Sequence, residues 1–231
     1  MNKRIYIVSG LDNTGKDTII GILEKLLYNK QYNKSTQYSV LNVHALKPLY
    51  NTDIDLENDI DLQDYFQQYY KTLQSYITAI LKNDIDVLVF NRFYTEEYIY
   101  GQLYRCRTED NCRHLIDFTI KCIIDCLIDN YIYSGVGTYE EAYKWIKENI
   151  VYIKTVCPSE FLIQQDDGLS QSKNNIDYIN KEQELFNNYI DILKESGFTT
   201  IKIKTTKADQ NNGIVWTDKE AELKEAISLL I

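Results

Sequence analysis

The chain has 231 residues, 44% of them hydrophobic, with only 9 Gly and 2 Pro, a composition that supports one full α/β core and falls short of two, so a single domain over residues 1–231 is expected. Its formal net charge of −9, from 25 Lys and Arg against 34 Asp and Glu, sets the average surface against a nucleic-acid polymer but leaves room for a small nucleotide in a local pocket. No run of about 18 apolar residues is present to cross a bilayer, and the first strand pattern begins almost at residue 1, so no membrane partner and a cytoplasmic location are expected.

In chain order, residues 5–8 (IYIV) read as a buried strand, and Gly10-Leu11-Asp12-Asn13-Thr14-Gly15-Lys16-Asp17-Thr18 follows directly. A helical pattern in Ile19, Ile20, Leu23, Leu26 and Leu27 comes next. Strand, glycine-rich turn and helix start make a phosphate-binding loop rather than an ordinary strand-to-helix turn. Gly10 and Gly15 let the backbone bend tightly and aim N–H groups at phosphate oxygens, with the positive end of the helix dipole behind them. Lys16 would reach the terminal phosphates. The pattern expects Ser or Thr after the lysine, to put a hydroxyl on Mg²⁺; here Asp17 stands there and Thr18 follows, so Asp17 and Thr18 are the metal-side candidates.

Further strands are expected at residues 38–43, 87–90, 151–156 and 200–204, and helices at 62–81, 96–104, 112–130, 139–148, 159–164, 176–195 and 218–230. Ser196-Gly197 is a helix stop. Residues 51–61, acidic and poor in large apolar side chains, read as a surface loop, and 165–175 (QQDDGLSQSKNN without its first Gln) as a mobile polar segment. Alternation of this kind implies βαβ units and a parallel sheet covered on both faces, with ligands beyond the carboxyl ends of the strands. That rule gathers residues 10–18, 44–48 and 91–94 into one crevice. Five Cys at 106, 112, 122, 126 and 157, an odd number without a CxxC pair, read as reduced thiols, with Cys122 and Cys126 packed as small hydrophobes. His44 and His114 are lone and carry no catalytic pattern.

The third strand ends in Phe90-Asn91-Arg92-Phe93-Tyr94. A guanidinium at a strand's carboxyl end, opposite a phosphate loop, suits a second phosphate or a transferring phosphoryl group, so Arg92 is the first-choice phosphate residue. The alternative is a structural ion pair to an acidic neighbour.

Together, GLDNTGKDT and VLVFNRFYTEEYIYGQLYR resemble the thymidylate kinase and deoxynucleoside kinase family, most closely its phage-type deoxynucleotide kinases. That family carries a G-x-D-G-x-G-K-[ST]-T loop and a D-R-[YF]-x-x-S-x-x-x-Y segment. The later half follows more loosely, through Cys157-Pro158-Ser159-Glu160, a polar lid at about 165–175 and a helix ending in Phe186-Asn187-Asn188-Tyr189. The resemblance implies a three-layer P-loop kinase fold with a five-stranded parallel sheet, helices on both faces and a lid. It implies ATP and Mg²⁺ as cofactors, held by Gly10, Asn13, Thr14, Gly15, Lys16, Asp17 and Thr18. Asp12 would approach the acceptor sugar and Arg92 its phosphate. Phe66 would stack on the acceptor base, with Tyr70 and Tyr100 lining the same pocket. The implied reaction is phosphorylation of a deoxynucleoside monophosphate, dTMP or a related or modified nucleotide, and family members are often homodimers.

The chain departs from the pattern in three places. Asn91 replaces the acid before the arginine, Glu96 stands where Ser is common, and the lid has Lys173 but no arginine to stabilise the transferring phosphoryl group. The stabiliser would then come from Arg92, Arg105, Arg107, Arg113 or Lys173, with Arg105 taken as the inward one. Rival readings are a nucleoside kinase, a kinase of a modified base within DNA, and a nucleotide-binding module without catalysis.

Overall fold

The computed structural model describes residues 3–33, 40–44, 59–82, 85–104, 106–165, 175–209, 213–217, 221 and 225. Five strands form one parallel sheet: β1 (Arg4–Ser9), β2 (Val40–His44), β3 (Val87–Asn91), β4 (Ile150–Val156) and β5 (Thr199–Lys204), in the order β2-β3-β1-β4-β5. β1, the central strand, and β3, beside it, are apolar runs buried along almost their whole length, as strands covered on both faces must be.

The face built on Tyr6, Val8, Val89, Val151 and Ile153 packs against Ile19, Ile20 and Leu23 of α1 (Lys16–Asn33). The other face, carrying Ile5, Ile7, Phe90 and Tyr152, is covered by the remaining long helices. These are α2 (Asp59–Lys82), α3 (Glu97–Tyr104), α4 (Glu109–Asp129), α6 (Tyr139–Asn149) and α8 (Ile176–Glu195), with the short α5 (Tyr131–Ser134) and α7 (Ser159–Gln164) between them. Beneath α8 the hydroxyl of Thr95 lies 2.5 Å from that of Tyr189 and 3.2 Å from that of Tyr152, so three buried hydroxyls satisfy one another. Among the described residues no helix is long and apolar enough to cross a membrane.

The structure shifts several expected boundaries. The helix expected from residue 62 begins at Asp59, so the end of the acidic 51–61 segment is helical. α4 starts three residues before Cys112 because Thr108 caps it, accepting from Asn111 N at 3.3 Å. The antiparallel hairpin of β6 (Thr206–Asp209) and β7 (Gly213–Trp216) was not legible in the pattern. Of the helix expected at 218–230 only Ala221 and Glu225 are described, and the segments 45–48 and 166–174 lie outside the described residues. Cys112, Cys122, Cys126 and Cys157 are buried thiols outside any disulfide, as packing as small hydrophobes requires, and Cys106 is an exposed one.

Candidate functional site

Sheet register builds the site. Val8 of β1 pairs with Asn91 of β3, and Arg92 N donates to Val8 O at 2.9 Å, which sets Arg92 directly beside the loop that leaves β1. On the other side Ser9 pairs with Lys154 of β4, so Thr155 abuts Gly10. Gly10 has φ +145°, and a Cβ there would lie 2.1 Å from Thr155 Oγ1. Glycine is therefore required by conformation and by space. Thr14 Oγ1 donates to Leu11 O at 2.7 Å and sits 2.6 Å from Thr155 Oγ1, so the buried Thr14 hydroxyl braces the loop.

Asn13 takes φ +60° and Gly15 φ +83°. Asparagine tolerates the left-handed region better than other side chains, which is why it can stand where the resembled pattern has glycine. Successive residues of this kind curl the backbone into an anion-binding concavity, and α1 begins at Lys16 behind it. The Lys16 ammonium is buried, donates to Leu11 O and lies 3.9 Å from Asp12 Oδ1. Burial pulls its pKa down to about 8, and the neighbouring Arg92 pulls the same way against the carboxylates of Asp12, Glu96 and Asp17.

Arg92 has φ +67°, a left-handed conformation worth about 1–3 kcal/mol of strain in a residue with a side chain. Its side chain is held on three sides. Nη2 donates to Asp12 Oδ1, and Nη1 donates to the Tyr100 hydroxyl and to Glu96 Oε2, the last at 3.0 Å. Burial disfavours its charge, but Tyr100, Glu96 and Asp12 outweigh that and raise its pKa further above the usual arginine range. Glu96 is 2% exposed. Its Oε1 accepts from Ser9 Oγ at 2.7 Å and from Phe93 N at 3.2 Å, tying the end of β1 to the turn after β3.

From α8, Glu182 closes the same cluster. It is 6% exposed, and the Tyr100 hydroxyl bonds to its carboxylate. Burial pushes Glu182 up to about 7, with Asp12 adding to the shift while Tyr100, Arg92 and Lys16 oppose it. Tyr104 stacks on Tyr100 at 6.2 Å between ring centroids, and Tyr178 on Tyr104 at 6.4 Å, an aromatic ladder joining α3 to α8. Beside Arg92, Asn91 Nδ2 donates to Asp17 Oδ1 at 2.7 Å, and Asn91 Oδ1 is buried without a partner.

The structure thus brings together Asp12, Lys16, Asp17, Asn91, Arg92 and Tyr100. Thr18 is exposed one residue beyond Asp17 on the first turn of α1. Tyr70, on α2, packs against the same core cluster as Tyr100, with Cys122, Cys126, Asp125 and Asp129 of α4 as its electrostatic neighbours. Phe66 is on α2 with its side chain outside the described residues, and Arg105 and Lys173 also lie outside them. Arg107 and Arg113 are held elsewhere. Arg107 pairs with Glu97 at 3.3 Å under α3, and Arg113 with the exposed Glu195 at 3.6 Å. His114 is exposed on α4.

Sequence reasoning did not single out Glu182, Ser9 or Tyr104. Glu182 had a readable signal, an acid inside the apolar stripe Ile179, Leu185, Phe186 and Tyr189 of an amphipathic helix. For Ser9 and Tyr104 no pattern in the chain announces the contact.

The donor set beside the loop suits a hard cation such as Mg²⁺, which takes oxygen ligands and few protein groups. Asp17 offers a carboxylate, Thr18 a hydroxyl, and Asn91 Oδ1 is an acceptor with nothing to accept from. Among the described residues there is no cluster of three or more His, Cys, Asp or Glu that would make a self-contained metal centre.

No family model matches the sequence, and no curated protein matches it. Solved structures do. A thymidylate kinase from Ehrlichia chaffeensis is similar over 100% of both chains at 13% identity, with a TM-score of 0.53. A thymidylate kinase from Candida albicans is similar over 99% of this chain and 92% of its own, at 11% identity and a TM-score of 0.54. At such identities the likeness establishes the fold alone, a three-layer α/β P-loop kinase fold.

Proposed function

We propose that this chain is an ATP- and Mg²⁺-dependent phosphotransferase that moves a γ-phosphoryl group to a deoxynucleoside monophosphate, dTMP or a related or modified nucleotide, as in phage-type deoxynucleotide kinases. The observation that carries the proposal is a single oxygen, Asp12 Oδ1, shared by the ammonium of Lys16 and the guanidinium of Arg92. An anion position flanked by a lysine in a phosphate loop and an arginine at a neighbouring strand end is what phosphoryl transfer between two phosphorylated ligands needs.

In this reading the loop from Gly10 to Thr18 and Lys16 hold the donor phosphates, and Arg92 faces the acceptor phosphate. Asp12, 46% exposed at its side chain, is free to turn from the two cations toward the acceptor's sugar hydroxyl. Asp17, Thr18 and Asn91 Oδ1 would hold Mg²⁺, which neutralises charge on the β- and γ-phosphate oxygens when bound. An acceptor that is already a phosphate anion needs little help from a base, so Asn91 in place of an acid is tolerable. Tyr100 would line the acceptor pocket through its hydroxyl, which receives Arg92 Nη1. A single compact domain and a homodimer fit this reading by analogy with the family.

A nucleoside kinase is a second reading, favoured by the carboxylate that Glu96 sets against Arg92. A kinase of bases within DNA is disfavoured, because among the described residues Arg107 and Arg113 are paired with acids rather than set in a basic stripe with Arg92. The experiment is a panel of deoxynucleosides, their monophosphates and a modified-base duplex incubated with ATP and Mg²⁺, reading which gains phosphate. Phosphate appearing on a deoxynucleoside monophosphate supports the proposal. ATP binding without transfer to any member would instead make the chain a nucleotide-binding module.

A further inference from the structure

Two carboxylates grip Arg92, and they are not equivalent. Asp12 belongs to an exposed turn of the phosphate loop, and nothing but the two cations holds its carboxylate in place among the contacts described. Glu96 is the reverse: it is 2% exposed, and its Oε1 is bound by Ser9 Oγ and Phe93 N while Oε2 receives Arg92 Nη1. A ligand can displace Asp12 by offering a better anion. It cannot displace Glu96 without breaking the bracket between β1 and the turn after β3.

Arg92 therefore meets an incoming acceptor with Nη1 occupied by Glu96 and Tyr100, and with the Nη2 side, held by the displaceable Asp12, open to exchange. Two consequences follow from elementary electrostatics. With both Nη1 hydrogens spent on Glu96 and Tyr100, the end-on Nη1–Nη2 fork is closed and a phosphate is left the Nε–Nη2 edge. A fixed negative charge within 3.0 Å of the guanidinium cancels much of the field an acceptor phosphate would feel, and the phosphate is itself repelled by that carboxylate at low local dielectric. A neutral sugar hydroxyl suffers neither loss.

We infer that Glu96 is the specificity-determining residue of the acceptor side, setting how strongly the site prefers a phosphorylated acceptor over the corresponding unphosphorylated nucleoside, and holding that preference low. The inference rests on the reading of this crevice as a nucleotide kinase site and deepens it. Glu96 acts through Arg92 and does not touch the reacting atoms.

The test is calorimetric binding of the four common deoxynucleosides and their 5′-monophosphates to protein saturated with ADP and Mg²⁺, in wild type, Glu96→Gln and Glu96→Ser. Gln keeps an oxygen for Ser9 and Phe93 N and removes the charge. In wild type the best acceptor pair should differ by no more than about tenfold in affinity, the worth of one partly screened charge interaction. In Glu96→Gln the monophosphate should gain on its nucleoside by about tenfold or more, and Glu96→Ser should move the ratio the same way. Structural damage alone would weaken both members of a pair together and leave the ratio unmoved. A wild-type preference for the monophosphate above about a hundredfold, or a ratio unchanged in the folded variants, overturns the inference and leaves the kinase reading standing. Binding of none of the eight compounds overturns the inference, and together with no transfer to any member of the acceptor panel it overturns the kinase reading as well.

Discussion

Lys16 and Arg92 reach the same atom: the ammonium stands 3.9 Å from Asp12 Oδ1, and Arg92 Nη2 donates to that oxygen from the neighbouring strand end. Two cations of like sign would repel at this separation without an anion between them, and each makes the other harder to keep charged in a buried site. The Asp12 carboxylate fills that place in the free protein. If a transferring phosphoryl group fills it during reaction, Arg92→Ala should lower kcat by about 10²–10³-fold, the usual loss on removing one preorganised charge at a transition state. Arg92→Lys should restore little of it, because a point charge on a flexible stem does not reproduce the guanidinium's fixed contacts with Glu96 and Tyr100. Steady-state kinetics with ATP and the acceptor found in the panel check both variants.

Lys16 gives a pH signature to donor binding. Its pKa of about 8 in the free protein means the ammonium is progressively lost as pH rises through 8. Nucleotide phosphates then find a neutral amine, or must take up a proton on binding. ATP affinity, measured calorimetrically from pH 6.5 to 9.5, is expected to fall above pH 8, with proton uptake appearing in the same range. In Lys16→Arg, charged throughout, the pH dependence should flatten even if absolute affinity drops.

Glu182 carries a stability signature of fixed sign. Its pKa is raised from 4.5 to about 7 by burial and by Asp12, so between those values the folded protein holds a proton that the unfolded chain has released. Stability must therefore fall as pH rises across that window, by something on the order of 3 kcal/mol for this one group. Glu182→Gln removes the term. Denaturant unfolding at pH 5 and pH 7.5 should show the variant's stability relative to wild type improving at the higher pH, and an equal difference at both values would mean the carboxyl titrates normally.

Gly10→Ala is predicted to be among the costliest small substitutions in the chain. The new Cβ would meet Thr155 Oγ1 at 2.1 Å and the Thr155 carbonyl at 3.1 Å, at a φ of +145° that alanine rarely adopts. Neither the strand backbone nor the buried threonine can move far, so a loss of about 3 kcal/mol or more is expected, read as a shift in the denaturant midpoint.

The phosphate loop was legible because its chemistry needs fixed residue types at fixed spacing: the glycines by their backbone angles, Lys16 by its reach, and a preceding strand. Arg92 was legible because a polar residue closing an apolar strand points at the ligand end of a parallel sheet. What the sequence hid are contacts made across long separations. Nothing in the chain near residue 96 says that its carboxylate meets Ser9, 87 residues earlier, or that Glu182 shares Tyr100 with Arg92. The β6–β7 hairpin was missed because its strands are four residues each, too short for alternation to register. Tyr70 shows the converse: one turn from Phe66 on an amphipathic helix, it reads equally well as core or as ligand wall, and it packs against α4.

The most direct measurement is a crystal structure with Mg²⁺ and a bisubstrate in which adenosine and a deoxynucleoside are joined by a chain of five phosphates. One continuous phosphate chain should be bound with oxygens within about 3 Å of both Lys16 Nζ and Arg92 Nη2, with Asp12 turned away from both toward the acceptor sugar. A phosphate chain that engages Lys16 while Arg92 stays locked to Asp12 and Glu96, with no ligand between the two cations, would contradict the account.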